Sequence, residues 1–244
     1  MRPPKNGTIS SFGLGLIMAL SGCMADAPQV GRGGAFGPKA PPRVIVADDS
    51  VVIAAPYGFC VDRSTLREGR DGAFVLLASC AALTRVSDAP SPSPDALLTA
   101  SVAANPGPGG RDEDRALVLA RYFDTDAGRA ALARDGRADS VSIEAMFDRD
   151  GLFFLHAADR SAGLGAGLRP DYWRAIFDVN GRIVTATVTP FADRPVTPAA
   201  AQALLRDFAG RIRRETARLP APGAVPVTRA AGFAAIFAGQ DLPG

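Results

Sequence analysis

Residues 139 to 191 contain four stretches of strand character separated by turns, and they constrain the fold more than any other part of the chain. The stretches are SVSIEAMF, LFFLHAA, YWRAIFDV and RIVTATVTPF. In the last of them, apolar and polar residues alternate with the period of two that is typical of a strand with one buried face. Asn180-Gly181, before that stretch, is typical of a two-residue hairpin turn of type I′. The pattern therefore predicts a four-stranded antiparallel meander.

The segments before the meander predict further strands and two short helices. RVIV and VVIAAP, on either side of Asp48-Asp49-Ser50, predict a hairpin or one bulged strand pair, and AFVLLASC has the length of a strand. DALLTASVAA is open between a strand and a short helix, and its alternation favours the strand. From residue 112, DEDRALVLARYF and DAGRAALARDG predict two consecutive helices, with Asp124-Thr125 as the N-cap of the second and Gly136 as its stop.

A long amphipathic helix is predicted after the meander, in TPAAAQALLRDFAGRIRRETARL. Thr197 is its expected N-cap and Pro198 occupies its first position. Its apolar side chains fall on one face: Leu204, Leu205, Phe208 and Ile212. We expect this face to be buried against the meander. The order of elements predicts an α+β fold, an antiparallel sheet with a C-terminal meander and helices packed on one face.

The same order of elements resembles a known fold family. The chain resembles the Mog1/PsbP-like fold over residues 51 to 218. The likeness rests on VVIAAPYGF, a long meander, and NGRIVTATVTPF, which leads through a short loop into a long amphipathic helix. The resemblance implies a small binding or accessory domain. It carries no shared catalytic residues, so it assigns no role to any single residue of this chain.

The first 22 residues have the build of a secretory signal. Arg2 and Lys5 form a basic region, Phe12 to Leu20 form a short apolar region, and small residues follow. The apolar run is shorter than the about 20 residues that a membrane-spanning helix needs. Leu20-Ser21-Gly22-Cys23 resembles the lipobox of bacterial lipoproteins. That resemblance implies diacylglycerol on the Cys23 thiol, cleavage before Cys23 and N-acylation, and the alternative is an ordinary signal peptide with a chance cysteine.

The lipobox sets the expected location and the expected boundaries of the chain. Met24 replaces the Asp that retains enterobacterial lipoproteins at the inner membrane, so a periplasm-facing anchor in the outer membrane is slightly favoured. Four segments are expected: a signal peptide at 1–22, a flexible Gly- and Pro-rich tether at 23–42, one α+β domain at 43–218, and a Pro-rich linker with an apolar tail at 219–244.

The cysteines and charges restrict the expected chemistry. With Cys23 acylated, Cys60 and Cys80 remain, and in an oxidising compartment they predict a disulfide, with two separate buried thiols as the alternative. Two cysteines and one histidine are too few for a closed metal site, so no metal is predicted. After residue 22 the chain carries 25 basic and 25 acidic residues. This neutral balance predicts no binding to nucleic acid, which requires concentrated positive charge.

No convincing catalytic group is present in the sequence, and no cofactor is predicted. His156 is the only histidine, and it shares the strand face of Leu152 and Phe154, which favours a packed, hydrogen-bonded histidine over a general base. The glycine-rich stretch at 163–167 links two predicted strands and does not open a helix. It is therefore expected to be a hairpin loop rather than a phosphate-binding loop.

Tyr172 and Trp173 adjoin this glycine-rich loop and are the candidate ligand-binding residues. The leading functional prediction is a non-catalytic accessory protein of the cell envelope, anchored to the membrane through Cys23 and binding another envelope protein. The alternative is a small-ligand-binding lipoprotein with a pocket between sheet and helix. A hydrolase that uses His156 is the third and weakest possibility.

Overall fold

The computed structural model describes residues 40–69, 72–104, 112–161 and 167–220. Within these ranges the strands are β1 (Arg43–Val46), β2 (Val51–Ala54), β3 (Phe59–Val61), β4 (Arg67–Gly69), β5 (Gly72–Ser79), β6 (Ala96–Ala104), β7 (Val141–Arg149), β8 (Leu152–Asp159), β9 (Asp171–Val179) and β10 (Arg182–Pro190). The helices are α1 (Cys80–Thr84), α2 (Asp112–Phe123), α3 (Asp126–Leu132) and α4 (Pro198–Thr216). The predicted signal peptide, Cys23, nearly all of the tether and nearly all of the apolar tail lie outside the described residues.

The main sheet is antiparallel and contains the predicted meander. Its strand order is β3-β5-β6-β10-β9-β8-β7, and β4 also pairs with β5. The four meander strands β7 to β10 are neighbours in chain order, which confirms the prediction. The turn between β9 and β10 has positive φ at both Asn180 (50°) and Gly181 (72°), as a type I′ turn requires.

Most of the local predictions are confirmed. β1 and β2 form a separate hairpin, and DALLTASVAA forms strand β6. Thr125 caps α3 by accepting a hydrogen bond from the Gly128 amide at 3.0 Å, and Thr197 caps α4 by accepting one from the Ala200 amide at 3.2 Å. Gly136 is not the stop of α3. The helix ends at Leu132, because the next residue already has an extended backbone.

One face of the main sheet is covered by the β1–β2 hairpin and α4, and we call it the α4 face. Helix α4 packs against β2, β9 and β10. The predicted apolar stripe is buried here, and Leu205, Phe208 and Ile212 have no exposed surface. Burying each such side chain stabilises the fold by about 1.5–3 kcal/mol. The Val52 amide donates a hydrogen bond to the Thr216 hydroxyl at 3.0 Å and so joins the hairpin to the helix.

The opposite face carries α2 and α3, so the α+β class is confirmed but the prediction of helices on one face is wrong. Phe123 and Leu132 of these helices pack on Phe153 and Leu155 of β8. The reason lies in the sequence of β8, which is apolar at odd and at even positions. A strand that is apolar on both faces must be covered on both. The second pair of helices supplies that cover.

The described residues cover this second face only in part. Helices α2 and α3 lie over the β7–β9 side, whereas the side chains of β5, β6 and β10 on this face are half-buried or exposed, except for the buried Thr187. We call this patch the open floor. It consists of Phe74, Leu76, Leu97, Thr99, Ser101 and Thr185. It mixes apolar and hydroxyl side chains, so it is neither a sealed core nor a charged surface.

Candidate ligand-binding site

The predicted Cys60–Cys80 disulfide is confirmed. The two Cα atoms are 4.9 Å apart, and 20 positions separate the residues in sequence. Both cysteines are buried in a small cluster with Ala40 and Ala89. The disulfide thus joins strand β3 to the start of α1, and its role is structural.

Tyr172 and Trp173, the predicted ligand-binding pair, point to opposite faces of the sheet. They are consecutive residues of β9, and side chains alternate along a strand. Trp173 packs in the core of the α4 face, whereas Tyr172 packs with the cluster under α2 and α3. Both are 7% exposed. They therefore cannot line one pocket together, and each has to be considered on its own face.

Trp173 forms an aromatic surface with neighbouring rings on the α4 face. His156 lies opposite it on β8, with parallel rings whose centroids are 4.5 Å apart at an interplanar angle of 5°. Phe147 meets Trp173 at 6.2 Å and 67°, in an edge-on arrangement. We call Phe147, His156 and Trp173 the aromatic shelf. Phe147 and His156 are half-buried, so the shelf is partly accessible from solvent.

A β-bulge in β7 creates this shelf. The pairing of β7 with β8 shifts register between Ile143 and Ala145. After the shift, Ala145 lies opposite His156, and Phe147 lies opposite Phe154. In an unshifted register Phe147 would point to the other face. The bulge thus brings Phe147 beside Trp173 and places a small side chain next to the imidazole.

Two polar atoms of the shelf are buried without a hydrogen-bond partner in the described part of the chain. They are His156 Nε2 and Trp173 Nε1. The prediction of a packed His156 is confirmed by its stacking, but the prediction that it is hydrogen-bonded is wrong at Nε2. Buried polar side chains nearly always have a partner, so two exceptions on neighbouring strands require an explanation.

Asp159 and Ser161, which are close to His156 in sequence, do not complete a catalytic triad with it. Asp159 is buried on the α2/α3 side and accepts hydrogen bonds from the Arg134 amide at 3.1 Å and the Ser161 amide at 2.9 Å. The Ser161 hydroxyl also donates to Asp159. Because His156 points to the other face, the strand holds the imidazole away from this pair.

Arg174 is a polar residue of the second face that sequence reasoning missed. Its guanidinium lies 5.0 Å from the centre of the Tyr172 ring, and its Nε donates a hydrogen bond to Thr187 Oγ1 at 3.3 Å. Burial raises the pKa of Tyr172 and lowers the pKa of Arg174. The sequence did contain a signal for it, because YWRAIFDV places an arginine on the same strand face as Tyr172.

A third feature is a cleft of about 420 Å³ near the point where the predicted tether meets the domain. Pro42, Pro56, Tyr57 and Arg211 contribute to its walls. Tyr57 is 76% exposed, the highest value among the exposed large hydrophobic side chains of the described chain. The cleft is therefore apolar, accessible and close to residue 42.

Within the described ranges, no three His, Cys, Asp or Glu side chains cluster closely enough to hold a metal ion. None of the described helices is both long enough and apolar enough to cross a membrane. No protein-family model, curated protein or solved structure matches the chain. The likeness to the Mog1/PsbP-like fold and the lipobox assignment therefore stay predictions.

Proposed function

We propose that the protein is a non-catalytic, lipid-anchored accessory protein of the cell envelope that holds a small ligand on the aromatic shelf. The observation that supports ligand binding is the pair of partnerless nitrogens, His156 Nε2 and Trp173 Nε1, on a partly accessible aromatic surface. A buried polar atom without a partner costs about 1–3 kcal/mol. A ligand that satisfies both atoms recovers that free energy on binding.

The two nitrogens restrict the chemistry of this ligand. The indole Nε1 of Trp173 only donates, so the ligand must offer an acceptor such as a carbonyl oxygen. His156 Nε2 donates or accepts, depending on the tautomer. Phe147 and the stacked rings favour a flat or apolar body beside that acceptor. The best match is a small ring compound that carries a carbonyl or similar oxygen.

The proposed location rests on Cys23. Two or three acyl chains make a stable anchor, and a tether of 23–42 has a root-mean-square reach of about 25 Å. The buried Cys60–Cys80 disulfide supports an oxidising compartment. The domain would thus face the periplasm, with the outer membrane slightly favoured.

Fluorescence provides a direct test of the shelf because Trp173 is the only tryptophan of the chain. A panel of nucleobases, aromatic aldehydes and cyclic ketones is titrated into the full chain in detergent. We expect a saturable change in emission for at least one class. His156→Phe keeps the stacking but removes Nε2, and we expect it to weaken binding about tenfold. Tyr122→Phe, on the exposed surface of α2, is the matched control and should bind normally.

The opposite result would reject the ligand proposal. If no class of compound changes the emission, or if His156→Phe binds as tightly as the wild type, the shelf is only part of the core.

The anchor is tested separately by mass spectrometry of the protein from membranes. We expect the wild-type protein to begin at Cys23 and to carry diacylglycerol and an amide-linked acyl chain. Cys23→Ser should lack both and leave the membrane fraction. A wild-type protein without lipid would remove the anchor from the proposal and leave ligand binding untouched.

The Tyr57 cleft favours a second candidate, contact with another envelope protein. An exposed aromatic ring beside an apolar cleft is typical of a binding hot spot. Cross-linking in intact cells, followed by pull-down and mass spectrometry, compares wild type with Tyr57→Ala and Cys23→Ser. A reproducible partner that is lost in Tyr57→Ala would support this role. A partner list that Tyr57→Ala leaves unchanged would reject it.

A further inference from the structure

Arg174 occupies a special position on the second face of the sheet. It stands between Leu155 on β8, which α2 and α3 cover, and Thr187 on β10. The next residue in that row is Thr99 of β6, in the open floor. Arg174 thus lies at the border between the covered and the uncovered part of this face.

Arg174 differs from other half-buried arginines because it has no carboxylate partner in the described part of the chain. Arg115 pairs with Asp178, and Arg182 pairs with Asp48 at 3.2 Å. The contacts of Arg174 are the Thr187 hydroxyl and the Tyr172 ring, and both are uncharged. A guanidinium carries five N–H donors, and the hydrogen bond to Thr187 uses one of them. A desolvated charge of this kind destabilises a fold unless something pairs with it.

Asp159 is the buried carboxylate that acts on Arg174, but it does so from a distance. It raises the pKa of Arg174, although burial, the larger effect, lowers it. Its two oxygens already accept hydrogen bonds from Ser161 and from the Arg134 amide. Asp159 is therefore held in its own hydrogen-bond network and forms no direct ion pair with Arg174.

The Tyr172 hydroxyl is a second unused group on the same side. The residue is 7% exposed, and its Oη has no hydrogen-bond partner among the described residues. Burial raises its pKa, so the hydroxyl keeps its proton at neutral pH and stays available as a donor. A partnerless donor and an unpaired guanidinium thus occur together.

We propose that Arg174 and Tyr172 bind an oxyanion, the carboxylate or phosphate group of a ligand that approaches over the open floor. The planar fork of an arginine matches both groups, and a phenolic hydroxyl adds a third donor. The border position of Arg174 gives the anion a route from solvent. Beyond Thr187, the same row continues with Thr99 and Leu76, and Phe74 lies further along β5. These side chains provide hydroxyl and apolar contacts for the rest of the ligand.

This site is independent of the aromatic shelf because it lies on the other face of the sheet. The shelf provides one obligate donor for a neutral acceptor, whereas the Arg174 site provides a positive charge. Loss of either site by mutation should leave the other intact.

Anion binding is tested on the full chain in detergent with inorganic phosphate, phenyl phosphate and benzoate, and with phenol as the neutral control. The readouts are the midpoint of thermal unfolding and the heat of binding. We expect the three anions, but not phenol, to raise the midpoint. Arg174→Gln should lose about 10- to 100-fold in affinity, Arg174→Lys less, and Tyr172→Phe about tenfold.

Arg149 is the matched control because its guanidinium also lies near an aromatic ring, at 5.8 Å from the centre of Phe147. It is exposed and lies on the α4 face, so Arg149→Gln should bind the anions normally. Equal losses in Arg149→Gln and Arg174→Gln would overturn the proposal. So would a wild-type midpoint that none of the anions changes.

A purely structural role for Arg174 predicts that its removal destabilises the protein. If Arg174 is instead an unpaired, half-buried charge, its replacement by an apolar side chain of similar length should keep or raise stability in the absence of anion. We therefore expect Arg174→Met to unfold at the same or a higher temperature and to lose the response to phosphate. A Met variant that is clearly less stable yet still responds to phosphate would overturn the proposal. If Arg174→Gln does not fold, Arg174→Lys and Tyr172→Phe still decide the matter.

Vesicles distinguish the two sources of such a group. Binding of the Cys23→Ser variant, which lacks the proposed acyl chains, to phosphatidylcholine vesicles is compared with and without phosphatidylglycerol. Binding that needs both phosphatidylglycerol and Arg174 would identify a lipid headgroup. Binding of phenyl phosphate alone, with the same dependence on Arg174, would identify a soluble ligand. Absence of any Arg174-dependent binding in both arms would overturn the anion site.

Discussion

The two faces of the main sheet differ in how completely they are covered. On the α4 face, the β1–β2 hairpin and α4 bury side chains of β3, β5, β6, β10, β9 and β8. Apolar residues occupy nearly every position that faces this helix and hairpin. On the other face, α2 and α3 cover the β7–β9 side and leave the open floor half-buried. The comparison teaches that one sheet can use one face for stability and part of the other for recognition. The hydroxyl side chains are concentrated where the cover ends.

The largest expected effect separates two phenylalanines, one on each face. Phe208→Ala removes a side chain with no exposed surface and should lower the free energy of unfolding by about 3–5 kcal/mol. Phe74→Ala, in the open floor and 37% exposed, should cost less than about 1 kcal/mol. Urea unfolding followed by circular dichroism measures both. Similar costs for the two variants would show that the open floor is covered in solution.

Removal of the disulfide tests how the β3 edge of the sheet is held, where Cys60 pairs in register with Ala78 of β5. The double variant Cys60→Ser, Cys80→Ser should lose about 3 kcal/mol, as expected for a bridge that spans 20 positions. The reduced wild type provides the control and should unfold at the same urea concentration as the double variant. A loss below about 1 kcal/mol would mean that packing alone holds this edge.

The pH dependence of stability tests the covered part of the second face, through the phenol of Tyr172. We expect this change in the free energy of unfolding to be the smallest of the three. Burial raises its pKa above the ordinary 10.0, and the negative charge of Asp159 raises it further. The positive charges of Arg174 and Arg134 lower it, but by less. The folded protein therefore holds the phenol proton more tightly than the unfolded chain. The resulting stability is fully present below pH 10.0 and is lost as the pH rises through the folded pKa.

The measurement is the free energy of unfolding in urea from about pH 8 to about pH 11, for wild type and Tyr172→Phe. The wild type should lose more stability than the variant over this interval. Parallel curves would contradict the buried phenol, and they would also weaken the anion site that depends on it.

Local chemistry explains which elements the sequence could predict. Thr197 and Pro198 define the start of α4, and Asn180-Gly181 defines the last hairpin, because caps and tight turns depend on a few neighbouring residues. The cover of the second face depends on distant packing. The alternation rule, applied to β8 or to Tyr172 and Trp173, would have separated the two faces. The bulge after Ile143 left no glycine as a signal, so the aromatic shelf could not be predicted.

The partner of Arg174 could not be predicted for a different reason. An arginine in a strand normally reaches a carboxylate or the solvent, and the sequence does not say which. Only the fold shows that the buried carboxylate of Asp159 already accepts hydrogen bonds from the Ser161 amide and from the Arg134 amide after α3. A site of this kind is defined by a missing contact, and a missing contact has no sequence pattern.

The hydrogen bond between Val52 and Thr216 has a consequence for how the chain matures. It joins residues 164 positions apart, and the core beneath it needs both the first described hairpin and the last described helix. During synthesis from the N-terminus, the α4 face therefore stays unfinished until α4 has been made. Contacts so distant in sequence also slow folding. If the chain crosses a membrane before it folds, as the predicted lipobox would imply, this delay would help, because an incomplete core leaves the polypeptide unfolded until α4 has been made.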